Sequence, residues 1–148
     1  MAVPRIENDP PGLSVTVLIA DDSSLMQERL KALLETMPGI SVISQVGDVD
    51  AAEAAIEQLH PTVVIMYLHL PGNSLKALER IKSEPEAPII IIFTAFSTSF
   101  HRQKCLALGA DYFFDKTSDL KQFQATLKNI AYQKLVAKPG DHADSRGG

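Results

Sequence analysis

Five short apolar runs, separated by segments with helical character, constrain the fold of this chain more than any other feature. The runs lie at residues 15–20, 40–46, 62–68, 89–93 and 112–114. Each is too short for a typical helix, and β-branched, aliphatic and aromatic residues of this kind favour a buried strand. Strands that alternate with helices form a parallel sheet covered on both faces, and right-handed crossovers restrict it to a doubly wound sandwich. The sequence therefore predicts an α/β fold with a five-stranded parallel sheet.

The segments between the runs carry helix signals of their own. The predicted helices lie at residues 25–37, 51–59, 75–81, 98–108 and 120–135. An apolar stripe on the first helix consists of Leu25, Leu30, Leu33, Leu34 and Met37. Ser24 is a suitable N-cap for this helix, and Ser118 or Asp119 for the last one. Gly109 is expected to end the fourth helix.

Composition limits the class of protein. The chain has 148 residues, of which 45% are hydrophobic and 22% charged, enough to form one packed domain and too apolar for a disordered chain. Its longest aliphatic and aromatic run, residues 89–93, falls far short of the roughly 20 residues of a membrane span. No signal peptide is evident, and a net charge of −4 argues against nucleic-acid binding. We expect a cytoplasmic domain with no membrane or direct nucleic-acid partner.

Both ends of the chain resemble linkers. Residues 1–13 and 137–148 combine proline, glycine and charged residues without an apolar period, which is typical of flexible tails. We expect one domain at residues 14–136, and the C-terminal segment is either a tail or a truncated linker.

Polar residues follow four of the predicted strands at their carboxyl ends, where ligands bind in sheets of this kind. They are Asp21-Asp22, Tyr67-Leu68-His69, Thr94 and Lys116. Adjacent carboxylates repel each other unless a cation lies nearby. The pair either caps the first helix as a solvated turn or belongs to a cation site. Thr94 and Lys116 at the same edge favour a pocket for Mg²⁺ and an anion.

Four motifs in register resemble one family. They are residues 17–22, residues 61–72 with their Leu-Pro-Gly ending, Phe93-Thr94-Ala95, and residues 109–116. Together they resemble the receiver domain of bacterial response regulators, the CheY-like family with a flavodoxin-like (βα)5 fold. The resemblance covers roughly residues 14–135.

The resemblance implies roles for individual residues. The Mg²⁺ ligands would be Asp21, Asp22 and the backbone carbonyl of His69. Lys116 would pair with phosphate, and Thr94 and Phe113 would be the switch residues. The partners would be a sensor histidine kinase or a downstream output protein, bound through the face of the fourth helix, fifth strand and fifth helix, or a second copy of the chain in a homodimer.

Tyr67 departs from the family pattern. Receivers usually carry the phosphate-accepting aspartate at this position, and a neutral phenol with a pKa near 10 replaces neither its charge nor its nucleophilicity. We therefore expect weak Mg²⁺ binding and no ordinary phosphotransfer. Two explanations remain open: a naturally degenerate receiver, or an engineered or selected Asp-to-Tyr variant of a working Mg²⁺-dependent phosphoacceptor.

Other residues have simpler interpretations. Thr117 replaces a proline that often follows the lysine in the family, so we expect a trans Lys116–Thr117 bond and some displacement of this loop. Cys105 is expected to be a structural thiol, and His69 and His101 to face solvent because neither has a histidine four residues away. The segment after strand one lacks a glycine-rich phosphate loop. This argues against an enzyme, and it makes a flavodoxin-like cofactor-binding module the weaker alternative.

Overall fold

The computed structural model describes residues 14–95 and 97–136, so both predicted tails lie outside the described residues. Within that part of the chain, five strands alternate with five helices. The strands are β1 (Val15–Ala20), β2 (Ile40–Val46), β3 (Val63–Met66), β4 (Ile89–Thr94) and β5 (Tyr112–Asp115). The helices are α1 (Ser24–Glu35), α2 (Val49–Leu59), α3 (Ser74–Lys82), α4 (Ser99–Ala107) and α5 (Leu120–Val136).

All five strands belong to one parallel sheet in the order β2-β1-β3-β4-β5. The chain runs from β1 outwards to β2 and then returns across β1 to form β3, so the winding direction reverses between β1 and β3. The predicted doubly wound fold is therefore confirmed. Ligands bind beside such a reversal, outside the carboxyl ends of the strands. Asp21 and Tyr67 directly follow the two strands that flank it.

Two apolar cores lie on opposite faces of the sheet. Helices α2, α3 and α4 contribute buried residues to one core, and α1 and α5 to the other. The second core contains Phe123, whose ring stacks on that of Phe93 with 4.2 Å between their centroids. Because both faces are covered, the central strands are mostly apolar, with Thr16 in β1 and Thr94 at the end of β4 as the exceptions. No helix in the described part of the chain is long and apolar enough to cross a membrane.

The start of α1 differs from the prediction. Ser23, not Ser24, is the N-cap, and its hydroxyl accepts a hydrogen bond from the Met26 N–H at 3.1 Å. Leu25 is 56% exposed although the predicted stripe includes it. It precedes the buried Leu34 by nine residues, or about two and a half helical turns, and therefore lies on the opposite side of α1.

Candidate functional site

Asp21 is a buried carboxylate at the end of β1, whereas its neighbour Asp22 is exposed. The Asp21 Oδ1 atom accepts a hydrogen bond from the Ser23 N–H at 2.9 Å, and Oδ2 lies 3.3 Å from the Lys116 Nζ. Burying a carboxylate is costly unless it is paired and hydrogen-bonded. The cation expected beside the acidic pair is therefore Lys116, which follows β5 at the same edge of the sheet.

Tyr67 is a second neighbour of the Lys116 ammonium. The Nζ atom is 4.8 Å from the centroid of the Tyr67 ring, within the range of a cation–π interaction. The Tyr67 N–H donates to the Ala20 carbonyl at 2.9 Å, and the Lys116 N–H donates to the Thr94 carbonyl at 2.8 Å. These backbone bonds tie the start of each loop to a neighbouring strand, and the Lys116 ammonium has both a carboxylate and an aromatic ring as neighbours.

The two predicted switch residues lie inside the protein. Thr94 is fully buried at the end of β4, and Phe113 is buried in the core beneath α4. The Arg102 guanidinium of α4 donates to the Phe113 carbonyl at 3.1 Å and lies 6.0 Å from the centroid of its ring. Phe113 is therefore turned inwards and held by α4.

Asp115 organises the loop after β5, a role that the sequence analysis missed. Its carboxylate accepts hydrogen bonds from the Thr117 hydroxyl and N–H at 2.6 and 2.8 Å, and from the Ser97 hydroxyl at 2.8 Å. Led by the Thr117 hydroxyl, these donors hold the pKa of Asp115 far below its usual range. The hydroxyl residues Thr117-Ser118 after an aspartate are a turn signal that could have indicated this arrangement. No cis peptide bond occurs among the described residues, so the predicted trans Lys116–Thr117 bond is confirmed.

Gln27 and Ser74 also support the site and were not predicted. The Gln27 side-chain amide donates to the Asp21 and Val46 carbonyls at 2.6 and 3.1 Å, which joins the ends of β1 and β2. The buried Ser74 hydroxyl donates to the Leu68 carbonyl. Nothing in the sequence distinguishes Gln27 from an ordinary solvated helix residue.

His69 and His101 lie next to each other, with 5.9 Å between their ring centroids. His69 is exposed in the loop after β3, and His101 is partly exposed in the first turn of α4. Residue spacing could not reveal this pair, because its members belong to separate elements. Cys105 is buried on the inner face of α4, and burial raises the pKa of its thiol to about 11. This agrees with the expected structural thiol, because the reactive form of cysteine is the thiolate.

The donor set suits Mg²⁺ only in part. Mg²⁺ requires near-octahedral oxygen coordination, and the predicted ligands comprise two carboxylates and one carbonyl. Both oxygens of the buried Asp21 carboxylate already have partners. No group of three or more histidine, cysteine, aspartate or glutamate side chains in the described ranges is arranged to hold a metal. Weak Mg²⁺ binding stays a prediction.

Comparison with known proteins agrees with this geometry. Residues 17–128 match the response regulator receiver domain family. The chain is 34% identical over 130 residues to a protein-glutamate methylesterase/protein-glutamine glutaminase of Anaeromyxobacter dehalogenans, with 82% of this chain and 38% of that protein covered. It is 35% identical over 124 residues to the transcriptional regulatory protein YdfI of Bacillus subtilis, with 83% of this chain and 58% of that protein covered.

Solved structures share the fold. A two-component response regulator of the LuxR family from Aurantimonas sp. superposes with a TM-score of 0.74 at 25% identity, covering 91% of this chain and 99% of that one. The response regulator domain of Thermotoga maritima CheB superposes with a TM-score of 0.68 at 23% identity, covering 85% and 99%.

The chain spans 38% of the methylesterase and 58% of YdfI, so it matches one part of these longer proteins. The matched region contains strands β2 to β5, most of β1, and the carboxyl-end cluster of Asp21, Tyr67, Thr94 and Lys116. The chain belongs to the response regulator receiver domain family.

Proposed function

We propose that this protein is a receiver module of a bacterial two-component system that does not accept a phosphoryl group, because Tyr67 occupies the acceptor position. It acts as a binding module rather than an enzyme, through protein contacts or by remaining in one conformational state. The observation that carries this proposal is the position of the Tyr67 ring, 4.8 Å from the Lys116 ammonium that would otherwise pair with phosphate.

The chemistry of Tyr67 supports the proposal in two ways. A phenol is neutral near pH 7, so it brings neither the negative charge that attracts Mg²⁺ nor a carboxylate that forms an acylphosphate. Its ring also lies 4.8 Å from the ammonium that would pair with phosphate, and it is larger than the carboxylate that the resemblance implies. The Lys116 ammonium is thus paired with groups of the protein itself, namely Asp21 and Tyr67.

The inward Phe113 supports a resting conformation that is not driven by phosphate. In the family resemblance, phosphate draws in the threonine hydroxyl and the aromatic residue follows. A two-state element responds only to a ligand that binds its two states differently. Without phosphate binding, the populations of Thr94 and Phe113 conformers are set by packing against α4.

Contacts through the face of α4, β5 and α5 are part of the proposal. These elements expose large apolar side chains, including Phe100 and Leu106 on α4, Tyr112 on β5 and Leu120 on α5. Exposed apolar side chains of this kind suit contact with a kinase, an output protein or a second copy of the chain.

Treatment with acetyl phosphate and Mg²⁺, followed by intact-mass measurement, tests the proposal. We expect no phosphoryl adduct, and so no change in mass, on the unsubstituted chain, but a phosphoryl adduct on Tyr67→Asp. Tyr67→Asn is the matched control, since it removes the ring without supplying a carboxylate and should stay unmodified. An adduct on the Tyr67 protein would overturn the proposal. A phosphoryl adduct on Tyr67→Asp is also expected under the alternative explanation of Tyr67, namely that the chain is an Asp-to-Tyr variant of an otherwise working receiver.

A further inference from the structure

The histidine pair, His69 and His101, lies beside the site but has no part in the proposed function. The two rings come from the loop after β3 and from the first turn of α4, and they approach edge to face with 5.9 Å between centroids. Both side chains reach solvent, His69 more fully than His101. Two neighbouring, accessible imidazoles from separate elements form the kind of donor pair that late first-row transition metals prefer.

The spacing of the rings leaves room for one ion between them. A metal–nitrogen bond of about 2 Å places the metal about 3 Å from the ring centre. Centroids 5.9 Å apart can therefore both contact a single ion, once one ring turns about its χ2 torsion. The His69 ring is exposed, and the turn alters its edge-to-face contact with the Tyr67 ring, whose centroid lies 5.7 Å away.

A hydroxyl group orients the less exposed member of the pair. The Thr98 Oγ1 atom lies 3.2 Å from the His101 Nδ1, and it also accepts the His101 backbone N–H at 3.1 Å. A hydroxyl oxygen has two acceptor sites, so Thr98 can accept from Nδ1–H as well. That tautomer leaves the His101 Nε2 unprotonated, as in metal sites whose second shell fixes the ligating histidine.

We propose that His69 and His101 together bind one divalent transition-metal ion, of the Zn²⁺, Ni²⁺ or Cu²⁺ class. The bound ion connects the loop after β3 to α4. Water completes the coordination, since no third histidine, cysteine, aspartate or glutamate in the described ranges joins the pair. The partial positive charge at the start of α4 opposes a cation. The small number of protein ligands and the unfavourable charge at the start of α4 both predict weak, readily reversible binding of one ion per chain. The proposed metal site does not require that Tyr67 prevents phosphate binding.

Calorimetric titration with Zn²⁺ tests this site, at a pH above the ordinary histidine pKa of about 6.5. We expect one ion per chain, and a loss of affinity of at least about tenfold in His69→Gln and in His101→Gln, as for disruption of a metal ligand shell. The double variant should bind Zn²⁺ at least as weakly as the weaker single variant. Its loss of binding free energy should differ from the sum of the two single losses, because both residues contact one ion.

Controls separate the pair from the other donors in the chain. The chain has four histidines, and His60→Asn and His142→Gln should leave Zn²⁺ binding unchanged. Thermal melts monitored by circular dichroism check that each variant is folded. Absence of Zn²⁺ binding, binding that persists in both His69→Gln and His101→Gln, or binding lost only in one of the controls would each overturn the proposal.

Discussion

The Lys116 ammonium has two neighbours of different chemical kind, a carboxylate and an aromatic ring. Asp21 lies 3.3 Å from Nζ, and the Tyr67 ring centroid lies 4.8 Å away. The Lys116 side chain is only 15% exposed, so both interactions are partly shielded from water. In the proposed function, Tyr67 is a neutral partner for the lysine at the position where the resemblance implies an aspartate.

A double-mutant cycle measures the interaction of Lys116 with Tyr67. Tyr67→Leu removes the aromatic face, and Lys116→Met removes the charge while keeping a long apolar chain. We expect a coupling free energy of about 0.5–2 kcal/mol between the two positions, as for a partly desolvated cation–π pair. Urea unfolding of the four proteins gives this value, and Tyr67→Phe should retain the coupling. A coupling free energy of zero would show that the ring does not stabilise the ammonium.

The loop between β3 and α3 depends on a glycine. Gly72 has φ +108°, and a Cβ there would lie 2.9 Å from the Cβ of Val49 at the start of α2. We expect Gly72→Ala to lower the free energy of unfolding by about 1–3 kcal/mol, from backbone strain and this clash. Gly47→Ala is the matched control, because the nearest of the atoms around its Cβ is the Asp22 Cα at 3.8 Å. The prediction fails if urea unfolding shows equal effects of the two substitutions.

The Asp115 network predicts how the loop after β5 responds to acid. Its hydrogen bonds lower the pKa of the carboxyl in the folded protein, whereas an unfolded aspartate has a pKa of about 3.9. The stabilisation is therefore present above pH ~4 and is lost as the pH falls towards the folded pKa. We expect Asp115→Asn to be less stable than the unsubstituted chain at neutral pH, with the difference shrinking below pH ~4. Urea unfolding between pH 2 and 7, values chosen to bracket the ordinary aspartate pKa, checks this. A difference that is constant with pH would contradict it.

At the scale of the whole molecule, the sequence predicted the architecture because apolar runs and topology rules are properties of the chain itself. Parallel strands bring their carboxyl ends to one edge, so Asp21, Thr94 and Lys116 were expected together before their distances were known. The contact of Asp115 with Ser97 and the histidine pair could not be predicted, since each joins residues from different loops or elements. Leu25 was expected on the buried face of α1 but is exposed. Apolar spacing along a helix of about three turns therefore does not determine which of its apolar residues reach the core.

The two cores share one sheet, so we expect the domain to unfold as a unit. We expect Phe123→Ala, in the core under α1 and α5, to lower the free energy of unfolding by about 3–5 kcal/mol. Leu78→Ala, in the opposite core, should lower it by about 2–5 kcal/mol. Both side chains are fully buried. Each substitution should shift one single urea transition, seen alike by circular dichroism and by amide NMR signals from both faces. Two separate transitions, each shifted by only one of the substitutions, would show that the two cores unfold independently.

Binding of beryllofluoride with Mg²⁺, measured by titration calorimetry on this chain and on Tyr67→Asp, tests the central claim most directly. Beryllofluoride imitates a phosphoryl group on a carboxylate without a covalent transfer step, so it separates the ability to hold phosphate from the rate of phosphorylation. The account predicts no binding to the Tyr67 protein and clear binding to Tyr67→Asp, since the rest of the pocket is in place. Tight binding by the Tyr67 protein itself would contradict the claim that this residue closes the site.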